Sequence, residues 1–295
     1  SDAQYNTVGG TNAGDSFTGT DAINNTLIGY DAGTAITSSD NNIAIGFEAL
    51  KSLTDESNGG NVAVGSQALK TTTGFQNTAV GFQALEDATG NVNTAVGSQA
   101  LYENTSGYGN CAFGYTALRT QTTPNKNSAF GYMSGYSVTT GENNLLLGYA
   151  AGNYNSPSGS ITTGSNNVVL GDNNISNFYC ADTSISSSDS RDKTDITNFT
   201  IGLNWIEALR PVTYRWDRRT WYGTDEEPYG TPDGSKKRQR LHIGFLAQEA
   251  LAVEQANGYG NSNDDSLLTN LTDDGMSYGM KYERLVPILV NAIKE

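Results

Sequence analysis

The residues of this chain that could do chemistry gather near position 190. The run Ser188-Asp189-Ser190-Arg191-Asp192-Lys193 sets a hydroxyl and an amine five positions apart, with acids and a guanidinium between them. A serine hydroxyl is a weak nucleophile and needs an adjacent base. A lysine serves as that base once burial or neighbouring cations bring its pKa toward neutrality. Composition alone leaves the run silent. A serine in a Ser-rich stretch is ordinarily an inert surface hydroxyl, and a lone lysine is ordinarily a solvated charge. The single histidine, His242, is by the same reasoning more often a structural hydrogen-bonding residue than a catalyst.

Other chemistries are excluded on simpler grounds. One His and two separated cysteines, Cys111 and Cys180, cannot make a usual zinc site. Whether those cysteines pair is not legible from spacing. No phosphate loop or dinucleotide fingerprint is present, and no calcium-binding nonapeptide repeat. A glycosidase needs two placed carboxylates, yet the 14 acids of residues 1–187 recur in no register. No cofactor and no metal are expected. With 17 Lys+Arg against 31 Asp+Glu the net charge is −14, which argues against a general binder of nucleic acid or anionic membranes. The basic run Lys236-Lys237-Arg238-Gln239-Arg240 reads as a solvated hairpin face near Glu226 and Glu227. No stretch of 18 apolar residues exists, so no membrane insertion is expected.

The elements that must position Ser188 and Lys193 fall into two unlike parts. Residues 1–187 hold 18 charged residues, 25 of the 34 glycines and no Trp. Residues 188–295 hold 30 charged residues, all three Trp and the only His. The boundary lies in or near the Ser-rich run Thr183–Ser190.

The first part is a repeat. Asn-containing segments ending in apolar-Gly place glycines at Gly29, Gly46, Gly65, Gly81, Gly97, Gly114, Gly131, Gly148 and Gly171. Most spacings are 16 or 17 residues, with a 19 and a final 23. Five copies carry Ala-Leu three and four positions after the glycine; three carry a small residue and Gly there. Sixteen residues are too few for a β-α unit with a crossover helix, but they suit one coil of a parallel β-roll or β-solenoid. In a strand, alternate residues face opposite sides. Pairs such as Ile43/Ile45 and Val62/Val64 therefore share one bulky face, and the residue between them, Ala in six copies, belongs to a small face. The Ala face is expected to meet another surface closely, in an assembly of three chains about one axis; a monomeric solenoid with a two-sided core is the alternative. Tyr30, Phe47, Phe82, Tyr115, Tyr132 and Tyr149, each just after its glycine, are expected to form an aromatic column explained by packing, with carbohydrate stacking as the lesser alternative.

Residues 24–175 resemble the trimeric β-roll heads of bacterial adhesins, with similar repeats in phage tail fibres, although the coils here are longer. The second part carries a more specific resemblance. After the Ser188–Lys193 run come Leu209-Arg210-Pro211-Val212-Thr213-Tyr214-Arg215-Trp216, then His242-Ile243-Gly244-Phe245-Leu246-Ala247-Gln248-Glu249, then Tyr282-Glu283-Arg284-Leu285-Val286-Pro287-Ile288-Leu289. In that order these are similar to the C-terminal intramolecular chaperone domain of phage endosialidases, tailspikes and tail fibres, a self-releasing serine peptidase. The resemblance implies that the domain trimerises, assists folding of the preceding β-structured stalk, and cuts itself off between Ser187 and Ser188. It implies Ser188 as nucleophile and Lys193 as general base, acting once on their own chain without turnover. Asp189 and Arg191 match motif positions that fix the loop; His242, Gln248 and Glu249 match the second motif and support the site or the subunit interface.

The resulting expectation is an N-terminal β or irregular lead-in over 1–23, β-roll repeats over 24–175, a linker over 176–187, and an α+β chaperone and auto-protease domain over 188–295 ending in a helix. Helices are expected over Gly202–Leu209, Phe245–Ala256 and Tyr282–Lys294, with a strand over Val212–Trp216. The partners implied are two further copies and a host cell-surface receptor, a glycan or outer-membrane component. The location implied is the virion, as a tail fibre or tailspike. A bacterial surface adhesin with the same chaperone is the alternative, and a polysaccharide depolymerase a more distant one.

Overall fold

A computed structural model describes residues 4–17, 21–54, 59–178, 188, 190–224, 227–272 and 275–295. Two compact units are present, Ser1–Asn174 and Ile175–Glu295. The first is a parallel β-solenoid. Ten strands of three residues each, from Thr7–Gly9 to Val168–Leu170, pair only with their sequence neighbours. The registers are uniform: Ala63 lies beside Ala79, and Ala79 beside Ala95. The strand Thr7–Gly9 extends the sheet into the stretch expected as lead-in.

The expected use of the Ala face is corrected by this structure. Ala44, Ala63, Ala79, Ala95, Ala112 and Ala129 point into their own coil and are fully buried. The bulky face is the outer one, where Ile45, Val80, Phe113 and Phe130 are each more than a third exposed. The Ala side chains are small because leucines of the same chain fill the space beside them. Leu50, Leu69, Leu85, Leu101 and Leu118, four residues after the turn glycine, are all fully buried. Where the inward strand residue is itself Leu, as at Leu27 and Leu146, the later position is Gly33 or Gly152. A Cβ on Gly33 would lie 2.7 Å from Leu27 Cδ2. In these coils a leucine at one of the two positions fills the core, as close packing demands; the coil of Ala129 and Gly135 has neither and is filled by Leu118 and Leu146 of the neighbouring coils.

A second ladder runs through the interior. Asn25, Asn42, Asn61, Asn77, Asn93, Asn110 and Asn127 are fully or almost fully buried, and each carbonyl oxygen accepts the backbone N–H of the next coil's asparagine. Most of their amide groups also donate across the coil. Asn77 Nδ2 donates to Gly90 O at 2.9 Å and Asn127 Nδ2 to Gly141 O at 2.8 Å. Burial of such amides is tolerated because both ends are paired. The turn glycines sit where a side chain cannot: Gly97 has φ +136° and a Cβ there would lie 2.4 Å from Gly114 O. The aromatic column forms in two stacked runs, Tyr30–Phe47 and Tyr115–Tyr132–Tyr149.

The second unit is a small α+β domain. It holds α1 (Leu203–Ala208), α2 (Ala247–Ala256) and α3 (Leu285–Lys294) with two antiparallel strand pairs, Val212–Tyr214 with His242–Gly244 and Thr269–Leu271 with Tyr278–Met280. Its core is Trp205, Leu209, Ala250, Leu268, Leu285 and Ile288. The chain end is tied to α1: Asn291 Nδ2 donates to Phe199 O at 2.7 Å and to Ile201 O at 3.1 Å. Pro287 is the third residue of α3, where its missing N–H breaks no helical bond. Among the described residues, no helix is long and apolar enough to cross a membrane.

Candidate functional site

A single turn of 3-10 helix, Ser190–Asp192, brings the ends of the motif together. The Lys193 backbone N–H donates to Ser190 O at 3.4 Å, which folds the chain back on itself. Lys193 Nζ then donates to Ser188 Oγ at 2.7 Å. This is a normal charge-assisted length, and it is the geometry a base needs to take the hydroxyl proton. Ser188, Arg191 and Lys193 are all exposed within the single chain. Ser187, Asp189 and Cys180 lie outside the described residues.

The second motif assembles elsewhere in the unit. His242 lies directly opposite Tyr214 across the strand pair, and their rings stack at 5.5 Å, while Trp216 meets His242 edge-on at 6.4 Å. Glu249, in the first turn of α2, accepts two hydrogen bonds from the Arg210 guanidinium, one of them from Nε at 3.1 Å. Gln248 is exposed beside it. Among the described residues, no hydrogen bond links Ser188 or Lys193 to His242, Gln248 or Glu249. The structure therefore brings Ser188 to Lys193, and it places His242 and Glu249 in packing and ion-pair contacts away from them, with Gln248 exposed on α2.

Other contacts join the motifs to one another. Tyr282 Oη accepts the Phe245 N–H at 3.1 Å. Gly244 is what lets the tyrosine in, since a Cβ there would lie 2.5 Å from Tyr282 Oη. Burial pushes the Tyr214 hydroxyl above its ordinary pKa, with Tyr282 adding to the effect and Arg218 opposing it.

Sequence reasoning missed two structural residues of this unit. Glu254 is fully buried on α2 and accepts hydrogen bonds from Leu267 N at 2.5 Å, Leu268 N at 2.6 Å and Thr269 Oγ1 at 2.6 Å. It fastens the helix to the Ser266–Thr269 turn. Its only sequence signal is the four-residue spacing from Ala250, which puts both on the inward face of the helix. Arg210 was visible as part of a motif, but its partner Glu249 lies 39 residues away.

Residues 188–259 match the model of a peptidase family described as chaperone of endosialidase. The match begins at Ser188 and spans the Lys193 motif, the Arg210–Trp216 segment and α2, about a quarter of the chain. No curated protein and no solved structure matches the chain.

Proposed function

We propose that this chain is the distal part of a phage tail fibre or tailspike, matured by a chaperone domain that cuts itself away. The β-solenoid serves as attachment shaft, and residues 188–295 gather three chains, guide their folding and then leave. The observation that carries the reading is the 2.7 Å contact from Lys193 Nζ to Ser188 Oγ at the first residue of the chaperone match. A helper of this kind has a physical rationale. Parallel β-structure pairs slowly and exposes adhesive edges meanwhile.

The reaction follows from the position of the nucleophile at its own scissile bond. Lys193, as the neutral amine, takes the Ser188 Oγ proton, and Oγ attacks the carbonyl carbon of Ser187. The Ser187–Ser188 C–N bond breaks as the proton passes to the departing nitrogen, leaving an ester on Oγ. Water hydrolyses that ester, giving a Ser187 carboxylate and a free Ser188 amine. Ser188 and Lys193 are exposed in the single chain, whereas a lysine base requires desolvation. Assembly of three copies supplies that burial, so cutting follows folding.

The outer solenoid face supports the assembly. From the second strand on, the outward residue before each turn glycine is apolar: Ile28, Ile45, Val64, Val80, Val96, Phe113, Phe130, Leu147 and Leu170. At about 4.8 Å per coil they make one continuous apolar stripe roughly 40 Å long, and a contiguous exposed stripe of that kind marks an interaction surface. The exposed stripe Val286, Leu289, Val290 and Ile293 of α3 offers a second seam. The test is denaturing electrophoresis with N-terminal mass analysis of the purified chain. A fragment beginning at Ser188 is expected, absent in Ser188→Ala and Lys193→Ala; unchanged processing in Ser188→Ala defeats the mechanism.

A further inference from the structure

The aromatic column has two gaps, and their size is set by the coil. Backbone hydrogen bonds put the residues after the turn glycines in register. Gln67 N donates to Phe47 O, Gln83 N to Ser66 O, Gln99 N to Phe82 O and Thr116 N to Ser98 O, all at 2.8–3.0 Å. The column therefore reads Tyr30, Phe47, Ser66, Phe82, Ser98, Tyr115, Tyr132, Tyr149 along the solenoid. Rings on neighbouring coils stack at 5.6, 5.2 and 5.6 Å, while among the described residues Phe82 stacks on no ring. Ser66 and Ser98 each remove one ring. With coils about 4.8 Å apart, the rings on either side of each serine stand roughly 10 Å apart. One inserted ring at the midpoint lies about 5 Å from both, which is the separation of the stacks already present. Phe47, Phe82 and Tyr115 remain about half exposed.

We infer that these two slots, sharing Phe82 as their common wall, each take one pyranose ring of a surface glycan. A hexopyranose has C–H faces to lie against the aromatic rings and a hydroxyl edge for the serine floor. The next residue on each coil adds a polar flank: Gln99 Nε2 donates to Gln83, Gln83 to Gln67, and Gln67 to the Glu48 carboxylate. An inserted aromatic side chain would bury the serine hydroxyl with no partner, a cost a sugar avoids. The turn glycine carries the chain off the sheet before each of these residues, so the column stands beside the outer apolar face. The inference rests on the attachment role proposed for the solenoid, and names the chemistry it recognises.

The test is saturation-transfer NMR on the full chain carrying Ser188→Ala. The methyl glycosides of glucose, galactose and N-acetylglucosamine at millimolar concentration are the probes. Transfer to the ring C–H protons of at least one probe is expected. It should vanish in Phe82→Ser, which removes the wall of both slots. It should also vanish in the double variant Ser66→Tyr/Ser98→Tyr, which completes the stack while keeping the coil folded by circular dichroism. No transfer from any of the three, or full transfer in the folded double variant, overturns the inference. The Ser188 cut is scored separately on the parent chain, so loss of sugar binding with normal processing condemns the slots alone.

Discussion

Replacing Asn77 with leucine tests the interior ladder while keeping the number and branching of the side-chain heavy atoms. In the folded coil Asn77 Oδ1 accepts the Asn93 N–H at 2.9 Å, and Nδ2 donates to Gly90 O at 2.9 Å. Both Asn77 and Asn93 are fully buried. Leucine leaves that N–H and that carbonyl without partners, and each buried orphan costs about 1–3 kcal/mol. The two together predict a loss of about 4 kcal/mol, less roughly 1 kcal/mol returned by the added apolar surface. Against a total stability of about 5–15 kcal/mol, that is a large fraction. Urea unfolding of the Ser188→Ala chain, followed by far-ultraviolet circular dichroism, measures it as a lower midpoint at unchanged slope. Asn77→Asp keeps the acceptor for Asn93 but turns an anionic oxygen toward Gly90 O. Its buried carboxyl should take a raised pKa, so the aspartate variant should gain stability as pH falls and the acid donates to that carbonyl. A loss under about 1 kcal/mol in Asn77→Leu would show that the ladder is incidental to the coil.

Glu254→Ala strips the acceptor from Leu267 N, Leu268 N and Thr269 Oγ1, and should cost the second unit roughly 3–5 kcal/mol and most of its processing; a normal melting curve would contradict this. Phe113→Asp places a charge on the outer face beside Phe130, 5.1 Å away ring to ring, and native mass spectrometry should show single chains with an unchanged β spectrum, whereas three-chain particles would reject the outer-face seam. Hydrogen bonds from Lys51, Lys70 and Gln67 hold Glu48 at a pKa of about 2 against an ordinary 4.5. Its folded value is the lower one, so its stabilisation is present above about pH 4.5 and is lost as pH falls toward 2. Asp31, lowered by Lys51 and Asn12, acts in the same sense, while Glu86, raised by burial and Asp87, acts in the opposite one. Thermal melts from pH 6 to 2 should therefore flatten in Glu48→Gln, and identical slopes would refute the assignment.

The repeat was legible because each coil needs a glycine at the same corner, and a glycine column survives every change of side chain around it. Which face was inside was not legible from alternation, since a period of two groups residues without saying which group faces inward. The deciding clue was present but unused: Leu27 with Gly33 and Leu146 with Gly152, against Ala44 with Leu50, exchange one leucine between two positions of a shared interior. The strand Thr7–Gly9, in the stretch expected as a β or irregular lead-in, was not counted as a repeat because glycine stands where other coils carry a bulky apolar residue. At the candidate site, Ser188 and Lys193 were paired through the resemblance to the chaperone domain, and the structure gives the physical reason five residues suffice: one tight turn brings their side chains together. Tyr214 with His242 and Arg210 with Glu249 meet only through the fold, and Glu254 sits at an inward position where apolar pattern argues against an acid.

The solenoid's strands lie across its length, so their hydrogen bonds point along it. A pull from end to end therefore loads those bonds head-on, coil after coil in series, and the rod is only as strong as its weakest joint. The last joint is a candidate for that weak link. Gly148 lacks the tight carbonyl contact that its counterparts make, meeting Gly171 Cα at 3.1 Å instead, and 23 residues separate the two glycines. Rods bound side by side along their outer faces carry tension in parallel, so one joint can open while its neighbours hold and then close again. Under the proposed attachment role, lateral assembly would set tensile strength, while the small alanine interior sets how slender each coil can be.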